Sequence, residues 1–343
     1  MKPQRSFDGV GIPADRPPLL LAFLILPGFP MGCLTSAIEP LRAANQISGV
    51  AAYRWQVVTE NGAPVASSAD MQFQADVSLA DMALPDALFV ISSPQSALAD
   101  SRRTLGALRR FARRGVTMGA FSGGVFPLAR AGLLDGYRAS VHWCYEAAFR
   151  TAFPKVLPCD AVLSVDRRRQ TASGANAVFD LMLRRIEAEL DAAIMTEVAC
   201  WFQHPMVRSE SVSQRRPTIA SESTSDMLPE PVARAIAMFA ENIADPLQIS
   251  DVAAMIAVSE RQLERAFKRA TGLSPLIYYR RMRLQEARQM VRYSNDRMRD
   301  IADAVGYSSP WRMARHYREV FGVTPGQDRD GVELFRVRAP VPA

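Results

Sequence analysis

Arg261, Glu264, Arg265, Lys268 and Arg269 fall on one face of a short helical stretch whose other face is Leu263, Ala266, Phe267 and Ala270. About fifty residues on, the pattern returns with Trp311, Arg312, Arg315 and Arg318. A guanidinium can fork onto guanine and a glutamate can accept from cytosine, so a cationic helix of this kind suits a DNA major groove. The second place where residue types suggest chemistry is Phe121-Ser122-Gly123-Gly124, directly after the apolar run VTMGAF, with His142-Trp143 twenty residues further on. Small residues let a side chain stand exposed on a tight strand-to-helix turn, the shape of a nucleophile elbow. Backbone N–H groups at such a helix start favour an anion or a ligand oxygen.

The elements that must carry the cationic faces come in two copies. Leu247 to Leu284 and Arg297 to Arg329 align at an offset of about fifty residues: Ile249, Val252 and Ala253 match Met298, Ile301 and Ala302. Ser259, Arg265, Phe267, Lys268, Gly272 and Pro275 match Ser309, Arg315, Tyr317, Arg318, Gly322 and Pro325. Each copy reads as a short helix, a turn, and a second helix opened by a serine cap and closed by glycine, with proline forbidding continuation. Pro310 suits the first turn of its helix. From Pro231 onward there are 18 Lys/Arg against 13 Asp/Glu, so most of the chain's net charge of +6 sits in its last third. That is the electrostatic footprint expected for phosphate; solvated arginines on a helical bundle are the plainer alternative.

Ahead of this region, strand-like runs alternate with helical ones: LLLAFLIL and a helix from about Leu34 to Ile47, YRWQVVTE, ALFVISS and a basic helix near Arg102 to Arg114, VTMGAF and a helix from Gly124 to Ala131. VLSVD, QTAS and a long helix from near Ala175 follow. Apolar strands alternating with helices predict a parallel sheet covered on both faces. The expected fold is therefore α/β, a flavodoxin-like parallel sheet sandwiched by helices, followed by an all-α domain with two helix-turn-helix motifs. Residues 17–208 form the first domain, 209–230 a Ser/Thr/Glu-rich flexible linker and 231–330 the second, with flexible ends at 1–16 and 331–343. Cys33, Cys144, Cys159 and Cys200 lack metal-ligand spacing, so no metal and no cofactor are expected. Leu19 to Leu26 is too short to span a membrane and lacks signal-peptide flanks, which points to a reducing cytoplasm.

The repeated C-terminal pattern resembles the AraC/XylS family of transcription regulators. The resemblance implies double-stranded DNA as partner, with Arg261, Glu264, Arg265, Trp311, Arg312 and Arg315 as expected base readers. Gln327-Asp328 departs from the aromatic-Arg ending usual there. The stretch GAFSGGVFPLARAGLLDGYRASVHWCYEAAFRTAFP resembles the class I glutaminase-like, PfpI-like superfamily in the form fused to AraC regulators. LPGFPMGCLTSAIEPLRAANQISG looks like the subgroup sensing quaternary amines and amino acids. In the superfamily's enzymes the elbow holds a cysteine paired with histidine and an acid. Here Ser122 stands at that position, Gly123 follows where protease-like members carry histidine, His142 is the candidate base and Glu39 the candidate acid. Serine needs a positioned base more than cysteine does, so a binding pocket without turnover is expected. Its ligand residues would be Glu39, Ser122, Gly123, His142 and Trp143, with Trp143, Phe29 or Tyr145 offering a ring face to a quaternary ammonium. The expectation is a ligand-responsive, homodimeric activator that engages RNA polymerase; the alternative is an amidase or hydrolase with a DNA-binding regulatory tail.

Overall fold

In the computed structural model, which describes residues 17–204, 207–209, 212–214 and 228–331, the chain divides into two units. The expected flexible ends and most of the expected linker lie outside the described residues. Through the first unit and the segment inserted in it, the elements run in chain order β1 (Leu19–Ile25), α1 (Met31–Ser48), β2 (Tyr53–Thr59), the two-residue strands β3 (Val65–Ala66), β4 (Gln72–Phe73) and β5 (Val77–Ser78), β6 (Ala87–Ser92) and α2 (Ser101–Arg113). Then come β7 (Thr117–Ser122), α3 (Val125–Arg130), β8 (Arg138–Ser140), α4 (Glu146–Ala152), β9 (Leu157–Cys159), β10 (Leu163–Asp166), β11 (Arg169–Ala172), α5 (Ala175–Glu189) and α6 (Ala192–Trp201). Residues 143–152, with α4, group with the second unit.

Seven strands form one sheet in the order β10-β11-β7-β6-β1-β2-β5. Every neighbouring pair is parallel except β10 with β11, an antiparallel hairpin at the edge. The central strands β1 and β6 are buried along nearly their whole length, which is why they read as continuous apolar runs rather than alternating ones. Phe23, Phe89 and Phe121 stack across β1, β6 and β7 at centroid distances of 5.7 and 4.7 Å. Gly119 makes room for that stack: a Cβ there would lie 2.1 Å from the Phe89 ring. Helices α1, α5 and α6 cover this face through Leu34, Ala37, Leu41, Val178, Met182, Ile186 and Val198. The unit's last described stretch is held by a buried carboxylate: Asp180, fully enclosed, lies 2.7 Å from His204 Nε2 and accepts from Arg208 Nε at 2.7 Å.

The second unit is helical: α7 (Glu230–Glu241), α8 (Ile249–Met255), α9 (Glu260–Thr271), α10 (Pro275–Tyr293), α11 (Met298–Ala304), α12 (Pro310–Phe321) and α13 (Pro325–Gly331). Helix α7 opens inside what the sequence suggested was the end of the linker. Val232, Ala235, Phe239, Val252, Leu263, Phe267, Tyr278 and Tyr279 form one small core; Leu284, Ala287, Met290, Ile301, Ala302, Met313 and Tyr317 form another. Helix α10 contributes to both. Ser259 caps α9 in a reciprocal pair with Gln262, and Gly272 closes it in the left-handed region at φ 73°. Gly322 repeats that stop at φ 76°, while Ser309 holds the equivalent cap position without a side-chain bond and Pro310 takes the first turn. Among the described residues no helix is long and apolar enough to cross a membrane.

Asp328, where the sequence departs from the AraC/XylS pattern, turns out to fasten the last helix. Its carboxylate accepts from Arg288 Nε at 2.6 Å and from the Tyr317 hydroxyl at 2.7 Å, tying α13 to α10 and α12. Burial alone would push this carboxyl up, but the Arg288 and Tyr317 hydrogen bonds outweigh it and hold it below its ordinary value of 3.8. Because folding depresses this acid, its stabilisation is complete above 3.8 and is lost as pH falls through the folded value. Asp328→Ala should lower the stability of the helical unit by roughly 1–3 kcal/mol at neutral pH. It should also flatten the acid limb of the melting-temperature profile followed by circular dichroism. A variant as stable as the parent at pH 7, with the acid limb intact, would contradict this role.

Candidate functional site

Helices α9 and α12 expose matching faces. With Leu263 and Phe267 buried in α9, Arg261, Arg265 and Lys268 point outward; with Met313 and Tyr317 buried in α12, the same positions are Trp311, Arg315 and Arg318. Trp311 is 69% exposed, and the Arg315 guanidinium sits 5.4 Å from its ring centre. Exposure of an indole to that degree, braced by a cation, makes an apolar contact surface beside a hydrogen-bonding fork. Arg315 also has Glu319 at 4.0 Å, a solvent-exposed pair of little energetic weight. Glu264 is exposed on the flank of α9. Arg312 lies on the flank of α12 and lines a cleft toward α10 with His316, rather than standing in line with Trp311 and Arg315. Lys268 and Arg318 complete the two aligned faces; the fifty-residue register was the signal that pointed to them.

The elbow takes the shape its residues suggested. Ser122 ends β7 at φ 51°, in the left-handed region that a side chain occupies only at a cost. Gly123 and Gly124 follow because the backbone runs against its neighbours: a Cβ on Gly123 would lie 2.6 Å from the Ser92 carbonyl oxygen, and one on Gly124 1.9 Å from that of Val90. Ser92, on β6 directly beside Ser122, is fully buried, and its hydroxyl has no hydrogen-bond partner among the described residues. The adjoining loops are set by Ser96, whose hydroxyl donates to the Pro27 carbonyl at 2.7 Å and accepts from the Ser93 N–H at 3.0 Å.

The other ligand candidates lie on different elements. His142 lies beside Gly174, the residue that opens α5. Glu39, half exposed on α1, has its carboxylate taken by Arg42 at 2.9 Å, which leaves it engaged in a local ion pair. Trp143 groups with the helical unit, its backbone N–H donating to Gln214 Oε1 at 3.0 Å. Phe29 is fully buried, edge-on to Phe73, and Tyr145 is buried edge-on to Tyr293, so these two rings are already packed on aromatic neighbours. Cys144 is no ready nucleophile, because burial pushes its thiol up to about 12 against the backbone and Arg292 influences that lower it. Sequence reasoning missed Ser92, which looked like the end of an ordinary apolar strand.

The elbow geometry carries a stability consequence. Gly124→Ala should unseat the β7–α3 turn and lower the first unit's melting temperature far more than Gly132→Ala. Gly132 has a left-handed backbone at φ 71°, which Gly124 does not, but has open space around it, so only the backbone penalty of about 1 kcal/mol applies. Equal losses in differential scanning fluorimetry would show that the Val90 contact does not constrain position 124.

Comparison with known proteins gives two family matches: a helix-turn-helix domain over residues 252–331 and the DJ-1/PfpI family over residues 25–188. The chain is 34% identical to the HTH-type transcriptional regulator GbdR of Pseudomonas aeruginosa, covering 96% of this chain and 90% of that protein. It is 33% identical to the HTH-type transcriptional regulator CdhR of the same species, over 93% of this chain and 94% of that one. Among solved structures, a ThiJ/PfpI family protein from Pseudomonas syringae aligns with a TM-score of 0.52 at 20% identity, over 75% of this chain and 97% of that one. An AraC family transcriptional regulator from Pseudomonas putida aligns with a TM-score of 0.50 at 25% identity, over 54% of this chain and all of that one.

Proposed function

The chain belongs to the AraC-type helix-turn-helix transcription regulators that carry a DJ-1/PfpI domain, and on that premise we propose a cytoplasmic, ligand-responsive regulator that activates a catabolic operon for a small nitrogenous metabolite. The observation that carries the DNA half is the pair of outward faces Arg261-Arg265-Lys268 and Trp311-Arg315-Arg318, in identical register on two helices that each open at a serine and end at a glycine. Arg265 and Arg315 stand at the centre of those faces and read bases; Arg261, Glu264 and Trp311 complete the contact, with Arg312 on its flank. The regulator acts as a homodimer on tandem half-sites and engages RNA polymerase once bound.

The first unit is the sensor, and the elbow is its pocket. Ser122, held at a strained turn, and Ser92, buried with an unmatched hydroxyl beside it, support a site for a ligand oxygen or carboxylate. Gly123 supplies the close backbone approach, and His142 donates or accepts at its rim. An amino acid or a quaternary amine with a carboxylate fits this polar end and is the class implied by the resemblance of the LPGFPMGCLTSAIEPLRAANQISG stretch. Glu39, the acid expected to complete a catalytic set, is engaged in a local ion pair with Arg42, which favours binding over hydrolysis. Ligand binding alters DNA affinity only through a difference in ligand affinity between the regulator's states.

Arg265→Ala and Arg315→Ala should each cost roughly 1–3 kcal/mol of binding to the cognate operator, with much smaller losses on random DNA. Fluorescence anisotropy on both duplexes measures this, and equal losses on both would refute base readout. In thermal-shift titrations of the full chain against betaine, carnitine, choline, arginine and other amino acids, a true effector at a hundred times its Kd should add about 2.7 kcal/mol of stability. That gain should disappear in Ser122→Ala. Turnover of an amide or ester abolished by the same substitution would instead establish the hydrolase reading.

A further inference from the structure

Between the two helix-turn-helix motifs lies a cleft of about 290 Å³ with no carboxylate in its lining. Its walls come from the turn before α8 (Pro246, Gln248), from α10 (Arg280, Arg283), from the turn after α11 (Gly306, Tyr307, Ser308) and from α12 (Arg312, His316). We propose that this cleft binds a phosphate group, either of the DNA backbone or free in solution.

Its floor is fixed. Arg283 donates through Nε to the Val305 carbonyl at 2.8 Å and through NH2 to the Gly306 carbonyl at 2.6 Å, and its guanidinium lies 4.5 Å from the Tyr307 ring centre. These bonds satisfy the exposed C-terminal carbonyls of α11 and lock a positive charge in place, with further N–H donors left over. Gly306, at φ 69°, touches the Ala244 carbonyl and the Pro246 ring so closely that a Cβ would lie 2.7 Å from each, so the turn cannot drift. Arg280 and Arg312 bring two more guanidinium groups to the lining, and Ser308 lines the same space. Positive groups in a concave site with partly apolar walls reinforce one another, and planar guanidinium forks match phosphate oxygens two at a time.

His316 makes the site reportable. Its Nδ1 lies 3.2 Å from the Tyr307 hydroxyl and its Nε2 3.4 Å from Arg315 NH2. Arginine can only donate, so Nε2 accepts and Nδ1 carries the proton toward Tyr307: a neutral ring. The groups that face it are Arg280 and Arg283 from α10, Arg315 and Glu319 on its own helix, and Tyr307. Burial first, then Arg280, Arg315 and Arg283, hold the ring's pKa below 6.5 against the opposing pull of Glu319. An anion seated among these arginines cancels that repulsion, so phosphate binding and protonation of His316 favour each other. The volume exceeds that of one phosphate, which leaves room for bridging waters or an attached sugar.

The chain's three histidines, His142, His204 and His316, make the test direct. The full-length protein with ring-labelled histidine is titrated with acid by NMR alone, with millimolar inorganic phosphate against chloride of equal ionic strength, and with a short random-sequence duplex. His316→Gln assigns the signal. The expected result is a rise of His316's titration midpoint by about one pH unit on phosphate, with His142 and His204 unmoved and the rise lost in Arg280→Gln. A rise with phosphate and duplex alike supports a site open to either source; a rise with the duplex alone, abolished by Arg280→Gln, assigns the site to the DNA backbone. No movement with either ligand, or a movement that survives both Arg280→Gln and Arg280→Ala, overturns the proposal. In the duplex case Arg280→Gln should also reduce the slope of log affinity against log salt by about 0.9. The inference draws on the DNA-binding reading only for the backbone source, and the inorganic phosphate arm stands without it.

Discussion

One unbroken helix governs what the second unit can do. Helix α10 runs 19 residues, about 28 Å at 1.5 Å per residue, with no glycine or proline after its first position. Tyr278 and Tyr279 from its first turns belong to one small core, while Leu284, Ala287, Met290 and Val291 belong to the other. Both cores are small, and the same rod is seated in each. The spacing of α9 and α12 is thereby set by a helix rather than by a loop, as a protein must do if two recognition helices are to meet groove segments about 34 Å apart on one duplex. Arg283 sits midway along that rod and reaches to the end of α11, so the joint between the motifs is braced by charge-assisted hydrogen bonds as well as by packing.

The first unit depends on close approach in the same sense, but at the scale of single atoms. Gly119 admits the Phe89 ring into the face of the sheet, and Gly123 and Gly124 bring the turn after β7 against the ends of β6. The consequence is that Ser122 stands at the carboxyl end of a parallel sheet with a left-handed backbone. There, side chains from adjacent strands converge and helix starts begin. Packing of Gly123 and Gly124 against β6 below the turn helps to fix it.

Much of this was legible in the residues. Periodicity alone located α9 and α12, because Leu263, Phe267, Met313 and Tyr317 mark a buried stripe, and Ser259, Gly272 and Gly322 mark the ends. The apolar runs around Phe23, Phe89 and Phe121 predicted the parallel core. The antiparallel hairpin of β10 and β11 was less visible, since VLSVD and QTAS look like any short strands until their pairing is known. Helix α6 escaped notice because AAIMTEVACW is apolar nearly all round and gives no amphipathic signal. At the site, the elbow could be read from its small residues, whereas the fate of Glu39 could not. Whether a carboxylate three residues before an arginine pairs locally or faces a ligand is decided by rotamers, not by spacing. The cleft beside α10 was equally hidden, because Arg280, Arg283, Arg312 and His316 meet only after two motifs pack against one helix.

A sensor built on an elbow of this kind places opposite demands on the same turn. A hydrolase gains rate from contacts made more strongly to the transition state than to the bound substrate, and tight ground-state binding works against it. A metabolite sensor gains signal only from ground-state affinity, and turnover would erase the ligand it reports. Replacing a thiol by the Ser122 hydroxyl serves the second demand, because a hydroxyl keeps its proton unless a base is fixed beside it, while still accepting and donating hydrogen bonds. In the proposed sensor the Ser92 hydroxyl, without a partner among the described residues, points the same way: a buried group left unpaired costs roughly 1–3 kcal/mol, which a ligand that reached it would recover. The free energy that an enzyme of this shape would direct to the reacting carbon is, in the proposed regulator, available to shift a conformational equilibrium.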